Sequence, residues 1–325
     1  MSSCAKRCVH ANALNSFEQP VTAGRHADAR IAQLRQQRAA TGQPVELPPL
    51  LGVPVAIKDA FATRDMPTSW GTPIRAGQML PEDAASVRSL RRAGAVILGK
   101  TALTEYCSGN APATRNPRAL AAAAESGSAG ARSKALGVTP GGSSSGSAAA
   151  VAAGYTPVAT GTQTLGSTIR PAAFCGVYGF KPALGAVSTD GMMPIATDLD
   201  HIGFLARSLS DLRMLLHAHT QQPGITAQDT SGGGGDCKEV EGRTVQLKKA
   251  PSFVVPVSAH WDQAEPSAIE RLWEVTDVLE HAGARVKELQ LPQALDSYPT
   301  PAQARYPPTV AAAVLPATMS PSRSM

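Results

Sequence analysis

The stretch at residues 139–182, TPGGSSSGSAAAVAAGYTPVATGTQTLGSTIRPAAFCGVYGFKP, constrains this chain more than any other. It carries two glycine/serine loops, residues 141–147 and 161–167, separated by an Ala-rich segment and a short β-like run. Glycines free the backbone for dihedrals closed to other residues. Hydroxyls packed at this density supply donors and acceptors in one place. A chain built this way is making either a close backbone crossing or a site.

The flanking sequence alternates in the manner of an α/β fold. Residues 52–60 (GVPVAIKDA) read as a buried strand ending at Lys58-Asp59. Asp83 is positioned to cap a helix over 84–93, with Gly94 closing it. Residues 95–98 form the next strand, and 99–101 turn into a second short helix. A helix at 145–153 ends at Gly154, a strand follows at Val158-Ala159, and Ser208 with Asp211 starts a helix over 209–218. Upstream, residues 26–37 have helical spacing in Ala27, Ile31 and Leu34. Downstream, 253–257 is a strand. Residues 267–282 form an amphipathic helix with Ile269, Leu272, Trp273, Thr276 and Leu279 on one face, and a strand through Val286 and Leu289 follows.

Other segments lack this patterning. Residues 118–136 are low in complexity and read as a loop insertion, and 230–236 (TSGGGGD) as a flexible linker. Residues 1–11 and 297–325 read as disordered ends, the latter rich in Pro and Ala. The expected organisation is one domain over 12–296.

Composition narrows the function classes. A hydrophobic content of 43% allows a sizeable core. The net charge of +5 is spread without a basic run, and 4% aromatics leave little for base stacking, so direct nucleic-acid binding is not expected. No apolar run reaches the roughly 20 residues that a membrane span needs. Lys6 and Arg7 are followed by no apolar h-region, which argues against a secretory signal; a transit peptide stays open. Five scattered cysteines without a CxxC fit a reducing, cytoplasmic setting. Cys4, Cys8 and His10 lack a second ligand pair, so no metal site is expected.

Four readings of the two loops remain. Gly141-x4-Gly146 and Gly161-x4-Gly166 have P-loop spacing but lack its lysine. Residues 142–146 match G-x-S-x-G, yet no strand precedes them, and a hydrolase elbow would still need an acid and a histidine such as His201 downstream. The loops could serve backbone packing alone. Finally, a buried lysine could act as base, because desolvation disfavours its charged form. Lys58 could then take a proton from Ser167 through an intervening Ser143.

The ordered segments GGSSSGSAAAVAAG (141–154), GTQTLGSTIRPAAFCGVYGFKP (161–182) and LLGVPVAIKDAF (50–61) resemble those of the amidase signature family. GKTALTE, ATRNP, LDHIGFLARS and WDQAEP support the resemblance, which runs from about residue 12 to 292. It implies an α/β/α fold with a mixed central sheet covered by helices, incomplete at both ends here. It implies amide hydrolysis through an acyl-enzyme, with Lys58 as base, Ser143 as bridging cis-serine after a non-proline cis peptide, and Ser167 as nucleophile. The backbone N–H groups of Thr164, Leu165, Gly166 and Ser167 would form the oxyanion hole. No metal or organic cofactor is implied. The expected partner is a small amide, and a homodimer is compatible with it. Two alternatives accompany this reading: the amidase-like component of a tRNA-dependent amidotransferase, and an inactive, shortened relative. Leu165 stands where the family usually has Ala or Gly, and Gln163 where amidotransferase members more often have Asp.

Overall fold

The computed structural model describes residues 14–16, 20–42, 47–108, 113–220, 250–257, 261 and 264–291. They fall into two compact units, one built from residues up to 220 and the other from residues 250–291.

The first unit is organised by a six-stranded sheet. In chain order its strands are β1 (Leu14–Ser16), β2 (Pro54–Lys58), β3 (Val96–Thr101), β4 (Val158–Gln163), β5 (Tyr178–Phe180) and β6 (His201–Ala206). In space the order is β1-β3-β2-β4-β6-β5. Central β2 runs parallel to both β3 and β4, whereas β1, β6 and β5 pair antiparallel to their neighbours. The sheet is therefore mixed. Strands β2 and β4 are buried on both faces, so each reads as an apolar or small-residue run instead of an alternation.

The helices are α1 (Pro20–Thr41), α2 (Ala85–Arg92), α3 (Pro117–Ser126), α4 (Ala129–Gly137), α5 (Ser145–Ala152), α6 (Ile169–Cys175) and α7 (Leu209–Thr220). Side-chain alternation along the strands divides the core. Val55, Ile57, Ile202 and Phe204 face one cluster with Val87 and Leu90 of α2 and Leu212 and Leu215 of α7. Ala56, Ala159 and Leu205 face a second cluster with Ala148 and Val151 of α5 and Ala172 and Cys175 of α6. Large side chains fill the first layer. The second is lined mainly by alanines, which lets α5 and α6 sit close on the sheet. The result is the expected α/β/α layering.

The second unit is a β-α-β element. Strands β7 (Ser252–Val257) and β8 (Arg285–Gln290) pair in parallel, joined through helix α8 (Pro266–His281). The less exposed positions of α8 include Ile269, Leu272, Trp273, Thr276 and Leu279, as its periodicity requires. Trp273 packs against Trp261 with ring centroids 5.7 Å apart.

Four expectations differ from the structure. Residues 118–136 do not form one loop; they make up helices α3 and α4, joined at Gly127-Ser128. Asn116 caps α3 by accepting from the N–H groups of Arg118 (3.0 Å) and Ala119 (3.4 Å), Pro117 supplies a preset first turn, and the alanine run has high helix propensity. Asp83 caps nothing. Its carboxylate accepts from the Arg64 N–H (3.0 Å) and pairs with Arg91 (3.0 Å), while α2 begins after Ala84 without a side-chain cap. Residues 99–101 continue β3 instead of starting a helix. Strand β4 extends through Gln163, so the first half of the second glycine/serine loop belongs to the sheet. The 230–236 linker, both terminal segments and the Cys4, Cys8 and His10 trio lie outside the described residues. No described helix is long and apolar enough to cross a membrane.

Candidate active site

Lys58 ends β2, and its side chain is wholly buried. Its position follows from parallel pairing with β4, whose Thr160 and Thr162 project to one side at strand spacing. Thr160 Oγ1 accepts the Lys58 backbone N–H at 2.9 Å. Thr162 Oγ1 accepts from Lys58 Nζ at 2.6 Å. Lys58 Nζ also donates to Ser143 Oγ at 2.8 Å. Burial pushes the Lys58 pKa below the ordinary lysine value, against which Cys107 and Asp200 act. Cys107 also approaches, with Sγ 3.9 Å from Thr162 Oγ1.

The neighbouring strand carries a second buried lysine with different company. Lys100 on β3 pairs with Asp59 at 2.9 Å and donates to Phe61 O (2.9 Å) and Thr68 Oγ1 (2.7 Å). Lys100 therefore has a carboxylate to support its charge. Lys58 Nζ instead bonds the hydroxyls of Ser143 and Thr162, with the Cys107 thiol close by.

The first glycine/serine loop spends each serine differently. The Gly142–Ser143 peptide is cis. Ser143 faces Lys58, and its carbonyl accepts from the Thr104 N–H at 3.3 Å. Ser144 Oγ is buried against the backbone N–H and C=O of Thr162, 3.3 Å from each. Ser147 Oγ bonds Thr101 Oγ1 at 2.6 Å. Gly141 has φ +77, and a Cβ there would lie 2.9 Å from Pro171 Cα, so the loop can turn against α6 only with glycine. Arg170 of α6 reaches back to Gly142 O through Nε (3.0 Å) and Nη2 (2.7 Å). The G-x-S-x-G elbow fails here. Its central Ser144 is tied to the sheet backbone, and helix α4, not a strand, leads into the loop.

Ser167 lies in the turn between β4 and α6. The Ser144 N–H donates to Ser167 O at 3.1 Å, which ties the two loops together. Ser167 Oγ and Ser143 Oγ are not hydrogen-bonded to each other among the described residues. The turn is pinned at both ends. Gln163 Oε1 accepts from the N–H groups of Thr168 and Ile169, both at 3.0 Å. Thr164 Oγ1 donates to Asp200 at 2.6 Å, and Asp200 in turn accepts from Ile195 N (2.7 Å) and Ala196 N (2.9 Å). Between these anchors the N–H groups of Thr164, Leu165, Gly166 and Ser167 make no hydrogen bond among the described residues. Gly166, at φ +125, sets their orientation. The Leu165 side chain is 54% exposed.

A sequence profile of the amidase family matches residues 3–312. The chain belongs to the amidase family. Among curated relatives of this amidase-family chain, the A subunit of glutamyl-tRNA(Gln) amidotransferase from Coxiella burnetii is 34% identical over 290 residues, covering 86% of this chain and 54% of its own length. Among solved structures, native peptide amidase from Stenotrophomonas maltophilia superposes with a TM-score of 0.65 at 29% identity, over 89% of this chain and 58% of that one. The A subunit of the Thermotoga maritima glutamyl-tRNA(Gln) amidotransferase gives 0.63 at 26% identity, over 89% and 57%. The chain thus spans little more than half the length of these relatives.

Reasoning from residue types missed Thr162, Gln163, Asp200, Cys107 and Arg170. The T-x-T of VATGTQ was a usable signal, since alternate residues of a strand share a face. Asp200 and Cys107 reach the site from other segments, and no local pattern announces them.

Proposed function

We propose that the chain hydrolyses a carboxylic amide through a Ser167 acyl-enzyme. The observation that carries this reading is Lys58: wholly buried, with hydroxyl oxygens as the hydrogen-bond partners of its amine. Desolvation, with no carboxylate hydrogen-bonded to the amine among the described residues, favours the neutral form, which is a base. In that form its lone pair faces the Ser143 hydroxyl.

Ser167 Oγ attacks the amide carbon and passes its proton to Ser143, whose own proton moves to Lys58. The Ser167 side chain closes on Ser143 as substrate binds, since catalytic hydrogen bonds often tighten only in the loaded site. The tetrahedral oxyanion falls among the N–H groups of Thr164 to Ser167, which are suited to it in making no hydrogen bond among the described residues. The C–N bond breaks as the proton returns to the leaving nitrogen. Water then attacks the acyl ester by the same route, freeing the acid and restoring Ser167.

Hydrolysis of simple primary amides tests the proposal. Ser167→Ala and Lys58→Ala are each expected to lose at least about a thousandfold in kcat/KM. A fluorophosphonate probe should label the native chain and not Ser167→Ala. Turnover retained in Ser167→Ala would overturn the nucleophile assignment.

A second reading is favoured by the 34% identity to the Coxiella burnetii amidotransferase chain. On it the same machinery releases ammonia from glutamine for a partner. Co-purification with a tRNA-binding partner, together with glutamine turnover stimulated by it, would select this reading.

A further inference from the structure

Beside Lys58 the chain holds three residues in a backbone conformation that side chains other than glycine rarely adopt. Trp70 (φ 56), Tyr106 (φ 46) and Cys107 (φ 55) are the non-glycine residues with left-handed φ among the described residues. Such strain persists only where the surroundings enforce it, and it concentrates at working sites. The three are linked to each other and to the proposed machinery. The Trp70 N–H donates to Asp59 O at 3.2 Å, one residue beyond Lys58, and the Tyr106 N–H donates to Trp70 O at 2.9 Å. Cys107 closes the group against Thr162. Trp70 and Tyr106 meet edge to face, with centroids 6.4 Å apart.

Arg75 packs on Trp70 of this group. It ends a one-turn 3-10 helix, Pro73–Arg75, whose first turn is capped by Thr72 Oγ1 accepting from Ile74 N at 3.4 Å. Its guanidinium carbon stacks 3.6 Å from the centroid of the Trp70 ring. Stacking occupies the face of the guanidinium and leaves its edge for hydrogen bonds. That edge has no acceptor among the described residues, and Nε is buried without a partner. The nearby arginines differ: Arg91 pairs with Asp65 and Asp83, and Arg64 pairs with Asp83. The two buried lysines add no free charge, since Lys100 is paired and Lys58 is held by hydroxyls. A single planar fork above an aromatic floor suits bidentate recognition of one carboxylate.

We propose that Arg75, held over the Trp70 ring, is the anion-recognising group of the site, and that the chain's amide substrates carry a carboxylate besides the scissile amide. The proposal rests on the hydrolase reading for the word substrate. The anion site itself does not depend on it.

The test uses matched pairs and a direct binding measurement. Succinamate and glutaramate are compared with butanamide and pentanamide in steady-state kinetics. Succinate and glutarate are titrated calorimetrically into the same protein. Native chain is expected to prefer at least one carboxylate-bearing amide by about tenfold or more in kcat/KM and to bind the corresponding dicarboxylate. Arg75→Gln is expected to erase most of that preference, chiefly through KM, and to abolish dicarboxylate binding. Arg75→Lys should fall between, keeping the charge and losing the flat fork. Thermal unfolding checks that both variants remain folded. Arg75-dependent binding of the dicarboxylate without turnover of any amide would uphold the anion site and overturn the hydrolase reading. Turnover of neutral amides with no Arg75-dependent preference or binding would overturn the anion site and leave the hydrolase reading standing.

Discussion

Thr162 is the residue that best separates a packed lysine from a working one. Its hydroxyl accepts from Lys58 Nζ at 2.6 Å, and no loop motif pointed to it. As an acceptor it supports the charged amine, so its removal should depress the Lys58 pKa further. On the proposed mechanism, Thr162→Val lowers kcat by about tenfold. It also moves the acidic limb of the pH–rate profile to lower pH, and Thr162→Ser restores both. A variant with reduced kcat and an unmoved limb would leave Thr162 a merely structural role. Lys58 and Ser143 were legible as residue types with chemistry to offer, but their meeting was not. Their side chains touch across 85 positions of chain, and only the fold closes that distance.

At the scale of elements, the strands and helices with clean periodicity were readable. Strand β2, helix α5 and helix α8 stand close to where an apolar run, a closing glycine and apolar spacing respectively placed them. The misreadings came where local signals were silent or shared. Low complexity concealed α3 and α4, because alanine-rich sequence is equally what a loop insertion can look like. Asp83 has the chemistry of a cap but found stronger partners in Arg64 and Arg91. Asn116 joins several elements at once. Besides capping α3, its Nδ2 donates to Thr139 O (3.1 Å) and to Phe174 O at the end of α6 (2.9 Å). Asn116→Ala should destabilise the fold by about 2–4 kcal/mol, combining a lost cap with two carbonyls left without their donor. Asn116→Asp, which keeps only the cap, should lose about half of that. Chemical denaturation of the three proteins measures both.

For the whole molecule, the first unit carries a built-in acid sensitivity far in sequence from Lys58 and Ser143. His219 on α7 is buried against Phe204. Its Nδ1–H donates to Leu215 O at 2.6 Å, which leaves Nε2 to accept from Ser86 at 2.8 Å. Burial lowers its pKa to about 4 from the usual 6.5. The unfolded chain therefore binds this proton first as pH falls. Stability should drop between pH 6.5 and 4, by about 3 kcal/mol over the window, and change no further from this group below it. His219→Phe should flatten that part of the curve in denaturation measured from pH 7 to 4. An unchanged slope would remove His219 as the cause.

The bond from Asn116 to Thr139 also means that the Ala-rich excursion leaves and rejoins the body of the unit at nearly one point. Helices α3 and α4 form a detour closed at its own base, with most of its described surface facing outward. Its tip at Gly127-Ser128 is thus a grafting position. A foreign peptide displayed there would lengthen the β3–β4 connection only beyond its closed base and would leave the approach of the two serine loops as it stands.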